Sequence, residues 1–306
     1  MEKKNNWKAW LYLAPVVILT GVFIFYPLIN TIGIAFLKNY NYLTGTSDGF
    51  TLDNFGYVLG ITPRMYMGIP LYYKDVIQIA VPNTLLIVFV TVPLSIIISL
   101  LIAVGLNSIK WFKKILQTIF FIPYVTNAIA VGMVFAVIFD GFGLWNYLFG
   151  IVMPTYWIDM GADPSKAMFA LCVYIIWHSL PYKILIFLSG LQNIDKQYYD
   201  AAKIDSAGRF KTFANVTVPL LSPQILYIMI TSFIGAFKEY SSVMGLLGRS
   251  GTAPGNNNMY TIVFYIYDSI AVNKVHQGAA AAVLLFIIIL AFTGIQFWVS
   301  KKRVHY

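Results

Sequence analysis

Six apolar stretches dominate the chain, at about residues 10–36, 77–106, 113–139, 166–190, 221–245 and 277–299. Each is long enough for a helix to cross about 30 Å of hydrocarbon. In that solvent every backbone N–H and C=O must be satisfied inside the protein, which leaves helices or a closed barrel, and runs of this length are helical. The expectation is an all-α polytopic membrane protein with six transmembrane helices, forming one domain over residues 1–306. Composition agrees: 59% of residues are hydrophobic and only 11% charged, against ~25% charged in soluble proteins. Mean hydropathy is +0.73. Pro27, Pro82, Pro93, Pro123 and Pro181 fall in or near these stretches, and bundles tolerate them because neighbouring groups re-satisfy the freed backbone. The sixth stretch opens on Gly278, Ala279, Ala280, Ala281 and Ala282, small residues that permit close helix contact. The first stretch is too long for the apolar core of a cleavable signal peptide and reads as a retained span.

The net charge of +9 is a matter of orientation. Placing the N-terminus inside puts Lys3, Lys4, Lys8, Lys110, Lys113, Lys114, Lys301, Lys302 and Arg303 on the inner side. There they join Lys196, Lys203, Arg209 and Lys211 of a polar run between the fourth and fifth stretches. The outer segments hold Lys38, Arg64, Lys74, Lys166, Arg249 and Lys274, and carry Asp48, Asp53, Asp75, Asp140, Asp159, Asp163 and Asp268. By the excess of positive charge on inner loops, both termini are cytoplasmic. Nothing in this pattern calls for nucleic acid.

Catalysis finds no support. No Gly-rich phosphate loop ending in Gly-Lys-Ser/Thr occurs, so an ATP-driven function needs a separate subunit. His178, His276 and His305 are too scattered to hold a metal. Cys172 is the sole cysteine, which excludes a disulfide within the chain. No Ser-His-Asp or Cys-His set emerges, since Ser179 beside His178 points elsewhere on a helix.

Two polar stripes at membrane depth are more informative. His178, Ser179 and Tyr182 lie at i, i+1 and i+4 in the fourth stretch, where Pro181 is expected to loosen the helix. Ser232, Gly235, Ala236 and Glu239 recur at i, i+3, i+4 and i+7 in the fifth, the period of one helical face. An ionisable Glu239 in lipid costs ~2.5–3.5 kcal/mol on insertion scales, so it should face the bundle interior or water. Lys238 beside it is expected to snorkel outward. On residues alone, helix–helix hydrogen bonding and a ligand site are equally open for both stripes.

The polar run at 195–223 carries the most specific pattern. Asp195 suits an N-cap, Gly208 a helix stop and Pro219 the end of a second short helix. Ala201, Ala202, Ala207 and Gly208 leave a face with little side-chain bulk. A basic amphipathic loop lying on lipid headgroups is the plain alternative. The sequence around Tyr199, Asp200, Ala201, Ala202, Asp205, Ala207 and Gly208 resembles the EAA loop of ABC importer permeases. Asp200 stands where Glu is usual and Ser206 where a Gly is usual. Trp177 to Tyr182, Trp10 to Pro27, Pro254 to Asn257 with Thr261 to Tyr267, and Gly278 to Ala281 extend the resemblance over nearly the whole chain. They are similar to the sugar-binding permease subunit family of maltose transporters.

That resemblance implies a type I importer permease fold, in which the loop at 191–220 is the cytoplasmic coupling segment docking on an ATPase. It implies that Ser179, Tyr182, Ser232, Gly235, Ala236 and Glu239 line a saccharide site, with Tyr182 stacking a sugar face, and His178 of the same polar stripe is a candidate substrate-binding residue beside them. It also implies a second homologous permease, two ATPase subunits that bind ATP and magnesium, an extracellular solute-binding protein, and a bacterial cell membrane as location. No cofactor is expected in this chain. The loop after the first span is short, so the large extra domain of the maltose subunit is absent, and the small residues Gly235 and Ala236 imply a roomier pocket. An ion-coupled secondary transporter using Glu239 and His178 is the alternative; it works as a single chain.

Overall fold

The computed structural model describes residues 6–66, 69–71, 76–109, 113–150, 155–158, 162–248, 252–253 and 257–300. Several residues used in the charge argument (Lys3, Lys4, Lys74, Asp75, Lys110, Asp159, Arg249, Lys301, Lys302 and Arg303), together with Pro254, Gly255 and Asn256, lie outside them. The principal helices in chain order are α1 (Trp10–Ala35), α2 (Val76–Ser108), α3 (Lys113–Val125), α4 (Ala128–Ile138) and α5 (Pro164–Gln192). There follow α6 (Lys196–Ile204), α7 (Arg209–Leu220), α8 (Ser222–Phe237), α9 (Ser241–Leu247), α10 (Ile262–Ala271) and α11 (Val275–Ser300). Among the described residues the fold is all-α apart from two minimal antiparallel ribbons, pairing Arg64–Tyr66 with Ile69–Leu71 and Thr252–Ala253 with Asn257–Asn258. Among the described residues four helices, α1, α2, α5 and α11, can each cross a membrane alone, and six crossings result if α3 with α4 and α7 with α8 each count as one.

The proline positions explain local deviations that periodicity does not. Three five-residue π-turns, Gly21–Phe25, Val76–Ala80 and Phe213–Thr217, each end two residues before a proline: Pro27, Pro82 and Pro219. A proline ring clashes with the carbonyl four residues back and offers it no N–H. In each case that carbonyl sits at the centre of the widened turn, which absorbs the clash without breaking the helix. Pro181, expected to loosen α5, sits inside an uninterrupted helix instead.

The apolar stretch at 113–139 is two helices set at 101°. Thr126 Oγ1 donates to the Pro123 carbonyl at 2.7 Å, and Asn127 turns extended. Its side chain then accepts from Ile129 N at 2.9 Å and Ala130 N at 3.3 Å, an N-cap that starts α4. The Tyr174 hydroxyl of α5 donates to the carbonyl of Ala128 at this break. The stretch at 221–245 divides as well. α7 bends by 68° into α8 at Leu221, where Pro223 in the next turn has no N–H to give, and α8 stops at Phe237.

The described residues pack as two compact units, one of residues up to 77 with 265–287, the other of 78–264 with 288 onward. In the first, Asn54 is buried and donates to the carbonyls of Ala35 at 2.9 Å and Leu37 at 2.8 Å, satisfying the end of α1. Gly278 lets α11 approach α10, since a Cβ there would lie 3.2 Å from the Ile266 carbonyl oxygen. Along α1 the large apolar side chains are exposed, Tyr12 and Phe23 among them, a surface suited to lipid or a partner chain.

In the second unit α2 packs along α5. Buried Thr84, Thr91, Ser95 and Ser99 of α2 donate to carbonyls three or four residues back, which satisfies each hydroxyl within its own helix. Ala103, Leu106, Ile184, Phe187, Leu188, Leu191, Leu221 and Ile228 form one core. A second gathers Phe135, Phe139, Leu171, Tyr174, Val243 and Phe264 with Trp145 and Trp157 against it.

Candidate functional site

A cavity of about 390 Å³ opens in the second unit, between the two cores. α2 contributes Thr91 and Val92, and α3 contributes Tyr124. From α5 come Ile175, His178, Ser179, Tyr182 and Lys183; from α8 come Thr231, Ser232, Gly235 and Ala236, with Glu239 just beyond its end. All seven residues that the sequence singled out at membrane depth therefore border one space. Its size falls within the range of small-molecule sites.

The stripe on the fifth stretch is not a single helical face. α8 ends before Glu239, whose N–H bonds the Ala236 carbonyl at 3.3 Å. Glu239 Oε1 accepts from Ser242 N at 2.9 Å at the start of α9, and its carbonyl accepts from Thr261 Oγ1 at 2.9 Å. The carboxylate thus faces the cavity while tied to the positive end of a short helix. Lys238 is exposed at the break.

Aromatic groups form one wall. The Tyr124 and Tyr182 rings stack, with centroids 5.7 Å apart and planes 18° from parallel. The Tyr182 and Tyr227 hydroxyls are 2.7 Å apart. One face of Tyr182 is therefore already covered by Tyr124, and a ligand ring would meet the tyrosine pair rather than Tyr182 alone. His178 packs its ring on Tyr174, with centroids 5.8 Å apart, and its buried Nε2 has no hydrogen-bond partner among the described residues. Such an atom is a ready donor or acceptor for a bound molecule.

Lys183, Tyr124 and Thr91 were not anticipated. Lys183 stands one turn beyond Ser179 on α5, 5% exposed. Its Nζ donates to Ser95 Oγ of α2 at 2.5 Å and to Ser179 Oγ at 3.0 Å. The signal was available, because an ionisable residue inside an apolar run is a functional marker by default. Tyr124 had none, since its place depends on how α3 packs on α5. No group of three His, Cys, Asp or Glu side chains suited to a metal occurs among the described residues.

The second candidate region is α6. Asp195 caps it, accepting from Gln197 N at 3.0 Å. Its end differs from expectation: Ser206, not Gly208, takes the stop position, at φ 54°. Ser206 N bonds the Lys203 carbonyl at 3.0 Å and Ala207 N the Ala202 carbonyl at 2.9 Å, the two bonds of a Schellman ending. The usual glycine at this position answers to backbone angle, not to size. Gly208 instead precedes α7 in extended conformation, and Pro219 lies within a helix that runs to Leu220.

Asp200, Ala201, Asp205 and Gly208 are exposed, Tyr199 and Ala207 half-buried, and Ala202 buried. The Tyr199 hydroxyl lies 3.3 Å from Thr217 Oγ1, holding α6 against α7. Lys203 Nζ lies 2.7 Å from Asp200 Oδ1, and this ammonium holds the Asp200 carboxyl below its ordinary value of 3.8. Tyr198 and Ile204 of α6 and Phe210 at the start of α7 are also exposed.

The two regions are mechanically linked. α5 runs unbroken from the cavity at Lys183 to Gln192, about 14 Å of helix, and only residues 193–195 separate it from α6. Past α6, α7 leads through the bend at Leu221 into α8 and back to the cavity at Thr231. Gly190 lets this bend press on α5, since a Cβ there would lie 2.8 Å from Leu221 Cδ2.

Residues 95–305 match the family model described as the binding-protein-dependent transport system inner membrane component. Among curated proteins, the chain is 29% identical to the lactose transport system permease protein LacF of Rhizobium radiobacter, over 99% of this chain and 97% of the relative. It is 31% identical to the arabinooligosaccharides transport system permease protein AraP of Bacillus subtilis, over 95% of this chain and 88% of the relative. Among solved structures, a chain of a bacterial alginate ABC transporter in complex with an alginate pentasaccharide-bound periplasmic protein matches with a TM-score of 0.76. It is 17% identical, over 97% of this chain and 95% of that one.

Proposed function

Because the chain belongs to the family of binding-protein-dependent transport system inner membrane components, we propose that it is the membrane-spanning subunit of an ATP-driven importer of a sugar or oligosaccharide. Membership makes it a multi-pass membrane transport component rather than an enzyme, and sets aside the ion-coupled single-chain alternative. The observation that carries the substrate reading is the cavity itself. Hydroxyls of Ser179, Thr231 and Ser232, the His178 ring, the Glu239 carboxylate and the Tyr124–Tyr182 pair surround a space of about 390 Å³. Such a set bonds hydroxyls from several sides and covers an apolar sugar face. The names of LacF and AraP, both saccharide transport permeases, support the same class.

In this reading α6 is the coupling element. It faces the cytoplasm, as do both termini, and docks on an ATPase subunit that binds ATP and magnesium. A second homologous permease completes the pathway, and an extracellular solute-binding protein delivers the saccharide. ATP-driven closure of the two ATPases displaces α6. Because α5 and α7–α8 leave its two ends and both border the cavity, the displacement shifts the two walls of the site relative to α2. Substrate access then alternates between the two sides of the membrane.

Affinity purification of the chain from its native membrane, with ATPase and uptake measured on the reconstituted eluate, tests the reading. The expected result is recovery of a second permease and a P-loop ATPase whose activity rises with a sugar-loaded binding protein. Transport by the lone chain on an ion gradient would overturn it.

A further inference from the structure

Lys183 is a charge that saccharide import as such does not require. Its ammonium lies at membrane depth, 5% exposed, on the border of the cavity. An ammonium has three donors, and two of them go to Ser95 Oγ at 2.5 Å and Ser179 Oγ at 3.0 Å. Both hydroxyls spend their own protons on carbonyls, Ser95 on Val92 at 3.0 Å and Ser179 on Ile176 at 2.9 Å. They therefore offer lone pairs to the ammonium and orient it, but bring no negative charge. Among the described residues no carboxylate forms an ion pair with Lys183. Glu239 borders the same cavity, yet its carboxylate is engaged by Ser242 N at 2.9 Å.

A buried cation held by neutral groups alone is costly unless a counter-charge arrives. The space in front of it is where cargo would sit. The cavity thus carries a positive group, Lys183, and a negative one, Glu239, on a lining that also holds hydroxyls and the tyrosine pair. We infer that the cargo is a saccharide bearing an acidic group, a carboxylate or a phosphate, whose anionic oxygen takes the third donor of Lys183. The neutral hydroxyls of that saccharide lie toward Glu239, where a second negative charge would be repelled. This deepens the saccharide-import reading and rests on it.

The test uses the whole importer, with its partner subunits, in nanodiscs. Calorimetry measures binding of glucuronides, galacturonides and hexose phosphates, each beside its neutral counterpart. The expected result is that at least one acidic saccharide binds about ten- to a hundred-fold more tightly than its neutral partner, the usual weight of a hydrogen bond to a charged group. The preference should vanish in Lys183→Met and persist in Lys183→Arg. Added salt gives a readout on the unmodified protein, where it should weaken the acidic ligand and leave the neutral one unchanged. Equal or tighter binding of neutral sugars, indifferent to salt and to Lys183→Met, would overturn the inference and leave saccharide import standing. Binding of none of these sugars, with uptake of an unrelated cargo, would overturn both.

Discussion

Gly132 of α4 and Gly245 of α9 meet backbone to backbone. A Cβ placed on Gly132 would fall 2.7 Å from both the Cα and the carbonyl carbon of Gly245, and one on Gly245 would fall 2.8 Å from the Ile129 carbonyl oxygen. Neither neighbour is a flexible side chain that could step aside. The contact locks together the two helices that lie beyond the breaks at Asn127 and Glu239. A valine at either position should cost about 1–3 kcal/mol by overpacking. We expect a lower midpoint of thermal unfolding in detergent for Gly132→Val and Gly245→Val, and a smaller loss for alanine. Unchanged midpoints would mean that this contact is looser than the backbone spacing implies.

The left-handed ending of α6 gives a change in the opposite direction. Ser206 holds φ 54°, a region that costs a residue with a Cβ about 1–2 kcal/mol, whereas glycine enters it freely at some entropic expense in the unfolded chain. Ser206→Gly should therefore stabilise the end of α6 by about 0.5–1 kcal/mol. Hydrogen exchange at the amides of Ser206 and Ala207 should slow; faster exchange would count against the assigned ending.

Glu239 combines two tasks that a pair of variants separates. Its Oε1 accepts from Ser242 N, and it borders the cavity. Glu239→Gln keeps an acceptor for that N–H and removes the charge, so stability should hold while uptake falls. Glu239→Ala strips the acceptor as well, leaving a buried N–H unsatisfied at a cost of about 1–3 kcal/mol. Thermal unfolding and uptake, measured side by side, should show loss of both only in the alanine variant. Equal uptake in wild type and Glu239→Gln would remove the carboxylate from the cargo site.

How far the sequence could be read follows from what each feature depends on. Crossing lengths depend on composition alone, so α1, α2, α5 and α11 were legible from their apolar runs. The breaks were not, although their causes were in view: Asn127 is a good N-cap within an apolar stretch, and Pro123 stands four residues before it. The length of the apolar run outweighs both signals. The stop of α6 differs for a related reason: composition points to Gly208 as the terminator, whereas the left-handed angle falls on Ser206. The cavity was partly legible because His178, Ser179 and Tyr182 share one turn of α5. Lys183, four residues past Ser179, belonged to the same stripe by spacing. Tyr124 could not be found from its neighbours, since only the packing of α3 on α5 brings it beside Tyr182.

Gly208 separates the fold of this chain from what it touches. Its backbone is extended, with φ −66° and ψ 162°, angles open to any residue, and a Cβ built on it meets nothing within 4 Å. Substitution should therefore leave this chain's own packing intact, and serine there could even cap α7. If α6 and its flanks dock in a cleft of an ATPase subunit, a large side chain at this position strikes that partner instead. Gly208→Trp should keep the thermal midpoint of the isolated chain and lose sugar-stimulated ATP hydrolysis and uptake. Gly208→Ala should retain most of both, since one methyl group needs little room. Wild-type uptake in Gly208→Trp would place the docking surface elsewhere. A fallen midpoint in the isolated chain would instead show that Gly208 serves the fold.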